Sequence, residues 1–144
     1  MIFSMVKKLI DGICLALSYC FGDEREIYTE AVEQGLEDGS FLIVCLNPTN
    51  SRFMGERYYR TNQFCIHYFP ETKEPNSECL DVLEDLYDAL ETIEVEGDLV
   101  RGTNMTSEMD EGVLHFFVNY NFFTISERDK TLMEEFEQTF DVKG

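Results

Sequence analysis

Apolar residues at the start of the chain recur with helical spacing. At 100° per residue, Ile2, Met5, Val6, Leu9, Ile10, Ile13, Ala16 and Leu17 share one half of the wheel, while Ser4, Lys7, Lys8, Asp11 and Ser18 cluster on the other. This predicts an N-terminal amphipathic helix over 1–21, packed on a core. Two lysines ahead of an apolar run resemble a secretory leader only superficially. Asp11 interrupts the run, no small-residue cleavage site follows, and Tyr19 precedes Cys20 where a lipoprotein signal needs a small residue. No stretch is long enough to span a membrane as a helix. Gly22 and Asp23 end the helix.

The spacing then changes to period two. Residues 26–33 alternate weakly, and FLIVCL at 41–46 reads as a short apolar strand. Asn47-Pro48-Thr49-Asn50-Ser51 reads as a turn. Residues 52–60 and 63–69 are predicted as two strands joined near Thr61-Asn62, closed by Pro70, which cannot donate to a ladder. Pro75-Asn76-Ser77 opens a central helix at 78–91, with Asn76 or Ser77 as its cap. Strands at 92–96 and 99–109 flank a Gly97-Asp98 turn. VLHFFVNYNFFT at 113–124 carries the strongest strand pattern, with Leu114, Phe116, Val118, Tyr120 and Phe122 on one face. Such an aromatic strand belongs at the centre of a sheet, since an exposed edge would invite aggregation. Ser126 with Asp129 opens a C-terminal helix at 127–140. The connections within each strand group are too short for crossovers. The expected fold is α+β: one mainly antiparallel sheet spanning 25–125, with N-terminal, central and C-terminal helices packed on it, in a single domain of 144 residues.

Charge changes the picture more than composition does. Eleven Lys and Arg stand against 29 Asp and Glu, a formal net of −18. Such a chain is poorly suited to neutralising phosphates, and anionic lipid would repel it. The acidity can serve solubility, a basic protein partner, or a passage that DNA crosses without sticking. It is also uneven. Residues 71–98 hold eleven acids and one base, a local −10, whereas 52–60 carry Arg52, Arg57 and Arg60 against Glu56 alone. On the central helix, Asp81–Asp85 and Glu84–Asp88 are like-charge i,i+4 pairs, each unfavourable by about 0.2–0.5 kcal/mol. A solvated face tolerates that; a cationic partner surface would relieve it.

Catalytic chemistry is hard to find. Five cysteines, Cys14, Cys20, Cys45, Cys65 and Cys79, form no CxxC pair and read as reduced, mostly buried thiols. His67 and His115 sit mid-strand among aromatics and read as partly buried strand histidines. Cys65 and His67 are the one nucleophile pair to weigh, but i and i+2 on a strand lie about 7 Å apart, too far for the bond that activates a thiol. The histidine and cysteine spacing fits no zinc pattern. There is no GxSxG, HExxH, phosphate-binding glycine loop or EF-hand loop. The expectation is a non-catalytic protein with no cofactor and no metal ligand.

Several stretches, taken in order, carry a resemblance: IYTEAVEQG (27–35), RYYRTNQFCIHYFP (57–70), VRGTNM (100–105) and GVLHFFVNYNFF (112–123). Over roughly residues 25–125 the chain resembles the tail terminator family of long-tailed phages and phage-derived contractile particles. The resemblance implies an α+β subunit that forms a ring, usually six-fold, on the head-proximal end of the tail tube. There it stops tube polymerisation and offers a docking face to the neck or head-completion protein. It implies no cofactor and no active site. It places the protein in the host cytoplasm during assembly and then in the virion tail. The partners expected are further copies of itself, the tube protein and the neck, with no sequence-specific nucleic acid and no membrane. Two other classes remain open: an acidic DNA mimic that blocks a nucleic-acid-binding protein, and a small enzyme dependent on Cys65 or His67. A ring needs a contact between unlike surfaces. The expected pair is the strip Arg52, Arg57, Arg60 against the helix acids Glu78, Asp81, Asp85 and Asp88.

Overall fold

A computed structural model describes residues 5–30 and 35–125. Helix α1 (Met5–Phe21) is followed by strands β1 (Ile27–Tyr28), β2 (Phe41–Met54) and β3 (Arg57–Tyr68), then helix α2 (Pro75–Ala89). Strands β4 (Thr92–Val95), β5 (Asp98–Arg101), β6 (Thr103–Asp110), β7 (Val113–Asn119) and β8 (Phe122–Ile125) complete the described elements. The architecture is α+β. The main sheet runs β1-β2-β3-β7-β6, with β8 pairing β3, and every pairing in it is antiparallel except β1 with β2. The expected C-terminal helix at 127–140 lies outside the described residues.

Both helices lie over one face of the sheet because their apolar stripes match it. Leu9, Ile13 and Leu17 of α1 and Cys79, Val82 and Leu86 of α2 are buried with Phe41, Ile43, Phe64, Ile66, Tyr68, Leu114, Phe116, Val118 and Tyr120. The alternation expected for 113–124 holds, since Leu114 through Tyr120 are buried at every second position. The strand is also central, because β3 and β6 flank β7. One glycine is needed for this packing: a Cβ on Gly12 would stand 2.8 Å from the Glu94 carbonyl oxygen, so α1 can lie this close to β4 only without one.

Several expected boundaries are corrected. The Asn47–Ser51 cluster is not a turn but lies inside β2, where a register shift between Leu46 and Thr49 makes a bulge. Asn47 takes a left-handed φ of 43° there, and a bulge lets Pro48 sit in a strand without a missing ladder bond. Thr61-Asn62 is likewise no junction, since β3 runs through it. The reversal occurs at Gly55-Glu56, with Gly55 at φ 59°. β2 and β3 are therefore one long hairpin. The strand expected over 26–33 is observed only at Ile27–Tyr28, and residues 31–34 lie outside the description.

Further along, α2 begins three residues earlier than expected. Its cap position is Glu74, with no side-chain cap bond, rather than Asn76 or Ser77. The strand expected over 99–109 breaks at Gly102, where a Cβ would stand 2.7 Å from the Leu90 carbonyl oxygen. β4 and β5 form a separate two-stranded sheet, so the single sheet expected is in fact two. The strand expected over 113–124 divides at Tyr120-Asn121. There Asn62 holds the kink: its amide donates to Asn121 Oδ1 (3.1 Å), its Nδ2 donates to the Tyr120 carbonyl (2.9 Å), and its carbonyl accepts the Tyr120 amide (2.9 Å).

Candidate functional site

The β2–β3 hairpin extends beyond the helices, and this sets out the two charged surfaces. Tyr68, at one end of β3, bonds Glu78 in the first turns of α2, and Tyr120, beside Asn62, bonds the Leu90 carbonyl at the end of α2. The helix thus covers β3 from about Tyr68 to Asn62. Arg57 stands eleven residues from Tyr68, roughly 36 Å of extended strand. Asp81 and Asp85, near the Tyr68 end, are out of its reach within one chain. Arg52, Arg57 and Arg60 make no ion pair among the described residues.

The three arginines do not form one strip. The register sets Arg52 opposite Tyr58 and Asn50 opposite Arg60, on the same side of the hairpin as the core. Arg52 donates from Nη1 to the Gly55 carbonyl at 3.2 Å and from Nη2 to the Tyr58 hydroxyl at 3.3 Å, and its guanidinium lies over the Tyr58 ring. Arg60 is half-buried, and its Nε is shielded without a hydrogen-bond partner among the described residues. Arg57 points to the other side, with its guanidinium 5.9 Å from the centre of the Phe123 ring.

Around Arg57 the chain gathers a surface that the charge pattern alone did not indicate. The ring of Phe123 packs 4.9 Å from Phe53 and 4.8 Å from Tyr59, centre to centre. Phe53, Met54 and Phe123 remain 57%, 68% and 49% exposed. Aromatic residues, methionine and arginine are the types enriched at protein interfaces, and large apolar groups clustered in the open mark such sites. Nothing in the linear sequence links residue 53 to residue 123. The cue was the spare aromatic content of the strand at 113–124, whose end runs on to pair with the hairpin tip.

The acidic surface also divides. Glu78 is engaged inside its own chain. It accepts from the Tyr68 hydroxyl at 2.5 Å and from the backbone amides of Glu71 and Thr72 at 2.9–3.1 Å. Partial burial alone would raise its pKa, but these bonds outweigh it and hold the carboxyl at about 2. Glu78 thus organises the loop before α2, doing from inside the helix what the cap residue does not. Asp81, Asp85 and Asp88 are exposed and make no ion pair among the described residues. Arg25, the one arginine near this end among the described residues, is held by the Gly39 carbonyl at 2.9 Å and Glu71 at 3.3 Å.

The cysteine and histidines considered for catalysis lie on the sheet face opposite the helices. The Cys65 Sγ lies 3.9 Å from Nδ1 of His115. Burial first, and then Glu108, push the Cys65 thiol up to about 11. A nucleophilic cysteine needs the opposite shift. No helix among the described residues is long and apolar enough to cross a membrane.

Comparison with known proteins adds one positive result. A family model described as phage tail terminator protein matches residues 8–132. A search of the curated proteins finds no match.

Proposed function

This chain belongs to the phage tail terminator family, and on that premise we propose that it closes the finished tail tube as a six-membered ring. Membership gives it a structural role in tail assembly, contacts with other tail components and a place in the virion tail. In the proposed role, subunits assembled in the host cytoplasm join at the head-proximal end of the tube. They stop further addition of tube protein and present the opposite side of the ring to the neck.

The observation that carries this reading is the separation of unlike surfaces on one chain. The hairpin tip offers Arg57 with exposed Phe53, Met54 and Phe123 on one side and Arg52 on the other, while Asp81 and Asp85 lie beyond its reach toward the Tyr68 end. Two complementary surfaces that cannot satisfy each other within a subunit favour a contact with the next one, and repetition of a heterologous contact closes a ring. The apolar patch supplies the desolvated centre of such a contact, and the charges supply orientation and association rate. The net charge of −18 suits a channel that DNA must cross without binding.

Charge reversal tests the pairing. Arg52→Glu with Arg57→Glu, or Asp81→Lys with Asp85→Lys, should each abolish assembly, and mixing the two variants should restore contacts between unlike subunits. Rings from both variants at moderate salt would show that the arginines and the acids belong to other contacts.

A further inference from the structure

The Cys65, His67 and His115 side chains meet although no sequence spacing connects them. β3 pairs β7 with His67 directly opposite His115 and Cys65 opposite Phe117, so all three project from the sheet face away from the helices. The two imidazole rings stand 4.4 Å apart, centre to centre, edge to face. One ligand atom from each of the three residues lies within 4.8 Å of the others. Cys65 is 3% exposed, and both histidines are half-buried.

We propose that Cys65, His67 and His115 form a binding site for a zinc-class divalent cation on this outer face. The donor set is one thiolate sulfur and two imidazole nitrogens, the borderline-soft combination that zinc takes in preference to magnesium or calcium. Bond lengths of about 2.0–2.3 Å in a tetrahedral site place donor atoms roughly 3.5 Å apart. The Sγ to Nδ1 distance of 3.9 Å is already close to that, and the remaining closure is within reach of side-chain rotation on a fixed backbone. Three protein ligands leave a fourth position. Glu108, directly opposite His115 on β6, offers a carboxylate on the same face, and water is the other occupant.

The surroundings suit a cation in two further ways. Leu42 stands opposite His67 and Val44 opposite Cys65 on β2, so apolar side chains wall the site on one side. His67 and His115 also present two half-buried imidazoles held directly opposite each other by the strand register, so both nitrogen donors are positioned by the backbone. The Cys65 thiol, protonated in the free protein, gives up its proton as the thiolate–metal bond forms. A spacing rule fails here because the ligands come from paired strands 48 residues apart (115 − 67) rather than from one loop. The inference stands apart from the role in tail assembly.

Cobalt(II) is the probe, added to the untagged full chain under reducing conditions. One equivalent should bind per chain, giving the visible bands of tetrahedral cobalt and a near-ultraviolet thiolate-to-cobalt band, both bleached by Zn2+. Cys65→Ser should remove the thiolate band, whereas Cys20→Ser, which deletes the exposed thiol, should leave it. His67→Gln should weaken binding by more than the roughly 10–100-fold that loss of an outer-sphere partner costs. Circular dichroism checks each variant. A substitution that unfolds the chain is replaced by a measurement on the unaltered protein: Zn2+ should slow alkylation of Cys65 at least tenfold. Absence of the thiolate band from the folded protein, its persistence in Cys65→Ser, or unchanged alkylation of Cys65 would overturn the site.

Discussion

Replacing Gly12 with alanine gives opposite signs in a helix viewed alone and in this fold. In an exposed helix interior, alanine is favoured over glycine by about 0.5–1 kcal/mol, because glycine loses more backbone entropy on folding. Here the added Cβ meets the Glu94 carbonyl oxygen at 2.8 Å, Val95 Cγ2 at 3.2 Å and Ile93 Cδ1 at 3.4 Å. The nearest of these is backbone and cannot rotate away. Relief requires α1 to lift from β4, and α1 carries Leu9, Ile13 and Leu17, all fully buried. Overpacking of this kind costs about 1–3 kcal/mol. Subtracting the propensity gain leaves a net destabilisation of up to about 2.5 kcal/mol, centred near 1 kcal/mol. Urea denaturation at fixed protein concentration, followed by circular dichroism, reads it as a lower midpoint with an unchanged slope. Leu15→Ala, on the exposed side of the same helix, serves as the near-neutral control. A Gly12→Ala protein more stable than the parent would refute the close approach of α1 to β4.

Phe116, fully buried at the sheet centre against Tyr87, should cost about 3–5 kcal/mol as Phe116→Ala in the same denaturation assay. Tyr120→Phe removes the buried bond to the Leu90 carbonyl (2.7 Å) and should cost about 1–3 kcal/mol, since that oxygen is left without the hydroxyl. Glu78 makes stability depend on acid: its folded pKa of about 2 lies below the ordinary 4.5, so its contribution is complete above 4.5 and is lost as pH falls toward 2. Glu78→Gln should therefore flatten the loss of urea midpoint across that window, and an unchanged acid limb would count against the bonds at Tyr68 and Glu71. Phe53→Ser with Phe123→Ser should lower assembly while leaving the far-ultraviolet circular dichroism spectrum of the subunit intact.

Periodicity conveyed the two described helices and the central strand because each has one buried face, and burial enforces the 3.6 and 2.0 repeats. Turn chemistry misled at Asn47–Ser51. Asn, Pro and Ser mark a chain reversal and a strand bulge equally well, and pairing with β3 decided for the bulge. The early start of α2 was hidden because its first turns are served by Tyr68, Glu71 and Glu78, a tertiary arrangement rather than a local cap. Charge asymmetry singled out Arg52, Arg57, Arg60 and the acids of α2, but did not show that Arg52 and Arg57 face opposite sides of the hairpin. It could not show that Glu78 is engaged within the chain, that Arg60 is half-buried, or that Phe123 completes the hairpin tip. Those facts depend on strand register and on tertiary contacts of α2, which composition does not encode. The meeting of Cys65, His67 and His115 is of the same kind.

The most direct test of the proposed role is native mass spectrometry of the purified chain, joined to electron microscopy of tube protein polymerised in its presence. The account predicts a closed hexamer, alone or on the tube, with one ring at a single end of each tube and growth arrested at that end. A chain that stays monomeric or dimeric with tube protein, leaves tubes growing at both ends and instead competes with DNA for a basic protein would contradict it.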